Sequence, residues 1–117
     1  MKSSDPVHRQ LSVMLERAGK EHKAAIWERA SELLSRPETT KVEVNLGRIS
    51  RLAKEGDALF IPGKVLGWGE VDKKVVVGAY AFSASAKYKL KASGCSALTI
   101  EQFLKKYPDG SGVKLVQ

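Results

Sequence analysis

The 117-residue sequence contains a single cysteine, Cys95. No internal disulfide can form, which excludes a small extracellular scaffold held by staples. One cysteine and two histidines, His8 and His22, do not make a zinc-ligand set. Neither histidine has a motif around it, and Ser83 lacks a nucleophile-elbow setting. The acidic pair Glu28 and Glu32 falls on one exposed helix face, where carboxylates solubilise. The residues therefore support no catalysis, metal or cofactor. Long apolar runs are missing as well. The longest, Val75 to Phe82, is far short of the ~20 residues a bilayer requires. Met1 to Asp5 has no apolar segment of the signal-peptide kind. The expectation is a soluble, intracellular, cytoplasmic protein without a membrane role.

Acids are also short in supply. There are 13 Asp and Glu against 20 Lys and Arg, a net charge of +7. Such an excess points to anionic partners: nucleic acid, an anionic membrane surface or an acidic protein. The deficit is local. No acid stands between Asp72 and Glu101, where uniform usage would place about three, yet Lys73, Lys74, Lys87, Lys89 and Lys91 all do. A solvated lysine face is the plain alternative to a phosphate-binding surface.

What is present reads as one α+β domain over 1–117, a helical hairpin (1–36) followed by an α+β core (37–117). Asp5–Pro6 suits an N-cap and first helical position. Val7, Leu11, Met14, Leu15 and Ala18 recur at helical spacing, with Gly19 as a stop. A second helix is predicted from about Lys23 to Leu34, with Ile26, Ala30, Leu33 and Leu34 inward and Pro37 ending it. Arg36 to Glu43 reads as a connector. Asn45 can cap a short third helix with Leu46, Ile49 and Leu52 inside and Arg48 and Arg51 outside. Ala58 to Ile61 suits a strand, Pro62–Gly63 a turn, Lys64 to Leu66 a second strand, and Gly67–Trp68–Gly69 a tight loop. Lys74 to Ala81 suits a strand buried on both faces. From Phe82 to Gly94, strand-like alternation competes with a helix capped by Ser83, and helix is favoured. Thr99 and Gln102 have capping-box spacing ahead of Ile100, Phe103, Leu104 and Tyr107. Pro108–Asp109–Gly110 stops that helix, and Val113 to Val116 is a last strand.

Lysines in an acid-free stretch can contact phosphates and displace condensed counterions. Gly63, Gly67 and Gly69 beside Lys64 could let backbone amides approach a phosphate, or could simply serve turn geometry. The stretch is not a P-loop, because it lacks Gly–Lys–Ser/Thr after a glycine at the required spacing, nor a dinucleotide fingerprint, because Asp72 stands where a third glycine belongs. Trp68 could stack on an unpaired base or pack on its own domain. Arg48 and Arg51 could fork onto phosphates, or Arg51 could pair with Glu55.

Three segments occur in order: Asn45–Leu46–Gly47–Arg48–Ile49, Pro62–Gly63–Lys64–Val65–Leu66–Gly67–Trp68–Gly69, and Ala81–Phe82–Ser83–Ala84–Ser85–Ala86–Lys87. With them, nearly the whole chain resembles the large-subunit ribosomal protein family "L eighteen e" of archaea and eukaryotes, distantly related to bacterial "L fifteen". The resemblance implies an irregular β-β-α superhelical core and a helix over Ser83–Ser93. It implies a non-catalytic constituent of the large ribosomal subunit, bound to ribosomal RNA and neighbouring ribosomal proteins. No small-molecule substrate is implied. The candidate RNA-contacting residues are Arg48, Arg51, Lys64, Lys73, Lys74, Ser83, Lys87, Lys89 and Lys91. Gly63, Gly67, Trp68 and Gly69 form the segment where the backbone would approach RNA. Trp68 stands where relatives often carry a small or polar residue, and Cys95 where a second glycine is common. The alternatives are a free-standing RNA-binding regulator and an enzyme acting on a phosphorylated substrate. The second of these needs convergent polar groups that nothing in the sequence nominates.

Overall fold

The computed structural model describes residues 6–37 and 41–117. Helices α1 (Pro6–Glu21) and α2 (Ala25–Leu34) form the expected hairpin. The proposed cap at Asp5 lies outside the described residues. Gly19 does not end α1; it is buried inside the helix. A β-carbon there would stand 2.9 Å from the Glu28 amide nitrogen, so the missing side chain lets the start of α2 close in. The chain reverses instead at Lys23, whose φ is +51°. A hydroxyl seam joins the two helices. Ser31 Oγ donates to the Ser12 carbonyl at 2.8 Å, and the Ser12 and Ser35 hydroxyls lie 2.6 Å apart.

The remaining elements are β1 (Val42–Asn45), α3 (Leu46–Leu52), β2 (Ala58–Leu66), β3 (Val76–Phe82), α4 (Ala84–Ala92), β4 (Ser96–Leu98), α5 (Ile100–Lys106) and β5 (Val113–Leu115). The fold is α+β. All four strand pairings are parallel, in the order β1-β2-β3-β4, and β5 pairs with β2. Because β3 takes one edge of β2, β1 and β5 share the other end to end, against Gly63–Leu66 and Ala58–Phe60. Parallel pairing forces each connection to carry the chain back before the next strand begins. Between β2 and β3 that return is made without a helix.

Alternation along the strands sends side chains to two cores. Ala58 and Phe60 join Leu15, Trp27, Ala30, Ile100 and Phe103 on the face covered by α2 and α5. Leu59 and Ile61 join Ile49, Val77, Ala79, Ala86 and Leu90 on the face covered by α3 and α4. This two-sided burial explains why Val75 to Phe82 has no polar alternation. Trp27, left out of the predicted inner face of α2, is fully buried. Its ring stands edge-on to Phe60 and Phe103 with centroids 5.1 and 5.9 Å away, and Nε1 donates to the Pro108 carbonyl at 3.0 Å.

Several expectations are corrected. Pro62–Gly63 is not a turn between two strands, because β2 runs through it. Ile61 pairs with Ala79 and Lys64 with Ala81, so two residues of β2 oppose one of β3 in a bulge. Proline, which has no N–H to give a ladder, is tolerated there. The end of the supposed connector, Val42–Glu43, is strand β1. Asn45 precedes α3 but makes no side-chain cap, and the Gly47 amide is taken by the Trp68 carbonyl at 2.9 Å. Leu52 is exposed rather than inward, and the apolar inner positions of α3 are Leu46 and Ile49. Ser83 does cap α4, and Thr99 with Gln102 forms the full capping box of α5.

Candidate nucleic-acid interface

The acid-free stretch becomes β3, α4 and β4. On a helix, residues four apart share a face, whereas two steps turn the chain by about 200°. Lys87 and Lys91 therefore stand together, and Lys89 points elsewhere. Lys89 Nζ donates to the carbonyls of Gly67 at 2.8 Å and Gly69 at 3.1 Å, and it pairs with Glu70 at 3.3 Å. This lysine ties the Gly67–Glu70 loop to α4. Lys87 and Lys91 make no ion pair among the described residues. With exposed Tyr88 they line a shallow depression floored by Cys95 and Ala97. Sequence reasoning passed over Tyr88, although an aromatic between two lysines was its available signal.

Lys73 is likewise engaged within the chain. Its Nζ donates to the Ser50 carbonyl at 2.6 Å and lies 3.4 Å from Asp72. Asp72 also accepts from Ser50 Oγ at 3.0 Å. The hydroxyl first, and then the lysine, hold its carboxyl below the ordinary value. Lys74 uses its main-chain N–H toward Glu55 at 3.1 Å, while its amine has no partner among the described residues. No ion pair joins Glu55 to Arg51 among the described residues. Arg48 and Arg51 are exposed on α3 without ion pairs among the described residues. Lys64 is half-buried in β2 between Glu43 of β1 and Ala81 of β3. Ser83 Oγ accepts from the Ala86 amide at 3.2 Å, so it begins α4.

The glycines serve the chain's own packing. Gly63 is buried in β2 rather than placed in a loop, and a β-carbon there would lie 2.0 Å from the Val42 carbonyl oxygen. One on Gly67 would meet Ser85 Oγ at 2.0 Å. Gly69, at φ +88°, approaches Gly47 so closely that a β-carbon would lie 2.7 Å from its Cα. The space each of these side chains would occupy is taken by β1, α4 and α3. Trp68, between two of these glycines, is 79% exposed.

Six of the candidate cations are thus without a side-chain partner among the described residues: Arg48 and Arg51 on α3, Lys64 on β2, Lys74 just before β3, and Lys87 and Lys91 on α4. Such cations can screen a polyanion, and they include no paired acid and base for bond-making. Among the described residues no three His, Cys, Asp or Glu side chains gather as a metal site, and no helix is long and apolar enough to cross a membrane. Residues 20–98, more than half the chain, match the family of ribosomal proteins 50S-L15 and 50S-L18e and their 60S counterpart. The chain belongs to this ribosomal protein family. Similar proteins include several named large ribosomal subunit protein eL18. The Methanococcus maripaludis protein is 41% identical over 114 residues, covering 97% of this chain and 95% of that one. The Pyrobaculum aerophilum protein is 40% identical over 108 residues, covering 92% and 88%. The Thermoplasma acidophilum protein is 38% identical, with both chains fully covered. Members of this L15/L18e family are structural ribosomal proteins and not enzymes.

Proposed function

We propose that this chain, acting as one domain over 1–117, is a structural constituent of the large ribosomal subunit in the cytoplasm. It binds and stabilises folded ribosomal RNA and abuts neighbouring ribosomal proteins. The observation that carries this reading is the division of the candidate cations into those tied within the chain and those without a partner among the described residues. Lys73 and Lys89 are tied to the chain's own carbonyls and carboxylates. Arg48, Arg51, Lys64, Lys74, Lys87 and Lys91 are left for an external anion. In this reading Ser83 and the tied lysines shape the surface, and the Gly67–Trp68–Gly69 loop lies against the RNA. Recognition is by phosphate placement and RNA shape more than by base identity. Sedimentation of native extract tests the assignment. The protein should travel with the large subunit, and recovery wholly in the ribosome-free fractions would refute it.

A further inference from the structure

We propose that Trp68 is a preorganised stacking platform for an unpaired base of the bound RNA. The inference deepens the RNA-binding reading and rests on it. The chain has two tryptophans with opposite surroundings: Trp27 is fully buried, and Trp68 is 79% exposed. Exposure alone would mean little in a loose loop, but this loop is fastened on both sides. The Trp68 carbonyl accepts from the Gly47 amide of α3 at 2.9 Å. Lys89 of α4 holds the carbonyls of Gly67 and Gly69 at 2.8 and 3.1 Å. Gly67 lies against Ser85 and Gly69 against Gly47, so neither flank can shift toward the body. The indole is presented outward from a fixed backbone, and contact with it loses little freedom on binding.

The surroundings favour a nucleotide over a protein side chain. The contacts shown for the loop's backbone, to Gly47, Ser85 and Lys89, are with small, polar or charged residues rather than the apolar ring that seals a protein hot spot from water. The loop's one carboxylate, Glu70, is neutralised by Lys89. Arg48, next in sequence to Gly47, is exposed and unpaired among the described residues, so it can take the phosphate beside a stacked base. An outward π face on a loop bonded to α3, which also carries the exposed Arg48, matches a single-stranded or bulged nucleotide, whereas paired bases are already stacked within a helix.

The test uses the full chain and large-subunit ribosomal RNA transcribed in vitro. Tryptophan fluorescence is followed on titration, with Trp68→Phe showing which part of the signal is Trp68. RNA should quench the Trp68 emission and leave that of buried Trp27. Trp68→Ala should weaken affinity about 5- to 100-fold, while Trp68→Phe retains most of it. The dependence of affinity on salt should be the same for all three proteins, because no charge changes. The alanine variant should melt close to wild type, since the indole is 79% exposed. If the RNA binds with steep salt dependence but Trp68 is unquenched and Trp68→Ala binds as wild type, the stacking proposal is overturned and RNA binding stands. Protection of Trp68 only after other large-subunit proteins are added would likewise overturn it, in favour of a protein contact. Binding that ignores salt would instead remove the RNA-binding reading beneath it.

Discussion

Lys87, Lys89 and Lys91 alternate along the chain, but their ammonium groups have different company. Lys89 already faces two carbonyls and a carboxylate, so it has little charge to offer a phosphate. Lys87 and Lys91 are open to any anion that docks on α4. Each phosphate neutralised by such a lysine releases about 0.7 to 0.9 of a counterion, which appears directly in the log–log salt slope. For about five contacts the wild-type slope should be near −4. Lys87→Gln and Lys91→Gln should each flatten it by about one. Lys89→Gln should leave the slope close to wild type while loosening the Gly67–Glu70 loop and lowering the melting temperature. Affinity measured across a salt series for the three single variants checks this, and equal slopes for all three would contradict the sorting of cations described above.

At the level of elements, α5 packs on β3 where Phe103 meets Gly78. A β-carbon on Gly78 would stand 2.3 Å from Phe103 Cδ2, and Phe103 is fully buried among Trp27, Phe60 and Tyr107. Gly78→Ala should therefore push α5 from the sheet and cost about 1–3 kcal/mol, read from the urea midpoint. An unchanged midpoint would show that the ring has room to move. The need for a glycine in a strand was not visible in Val75 to Phe82, because the element that fills the space arrives from later in the chain. The same cause limited other readings. Periodicity and capping residues revealed α1, α2 and α5, since those signals are local, whereas the alternation in α4 left strand competing with a favoured helix until the family resemblance implied the helix. β1 and β4 span four and three residues, too few for a period to emerge. The bulge at Pro62–Gly63 exists only relative to β3, and residue order could equally describe a turn. Composition marked the acid-free stretch between Asp72 and Glu101. It could not separate free from tied lysines, because the fan of a helix and the carbonyls of a distant loop decide that.

Across the whole molecule, the last strand is fastened to the middle of the chain by charge. Lys114 of β5 pairs with Asp57, just before β2, at 2.8 Å and also donates to the Leu52 carbonyl at the end of α3 at 3.1 Å. The Asp57 carboxyl is held below its ordinary 3.8, first by the hydrogen bond from Lys114 and next by the Lys54 amide. A carboxylate whose folded pKa is depressed binds its proton more readily in the unfolded chain. Its contribution to stability is therefore complete above the unfolded value and is lost as pH falls through the folded one. Asp72, lowered by Ser50 and Lys73, acts in the same direction and joins α3 to the segment before β3. Both links lie on a chain of net charge +7, whose self-repulsion grows as acids are protonated. The melting temperature of the free protein should thus hold steady from neutral pH down to about pH 5 and drop below about pH 4. Asp57→Asn should melt lower than wild type at pH 7, and the gap between them should close as pH falls below 3.8. A gap that stays constant through that range would mean the Asp57–Lys114 pair contributes nothing to the fold through its charge.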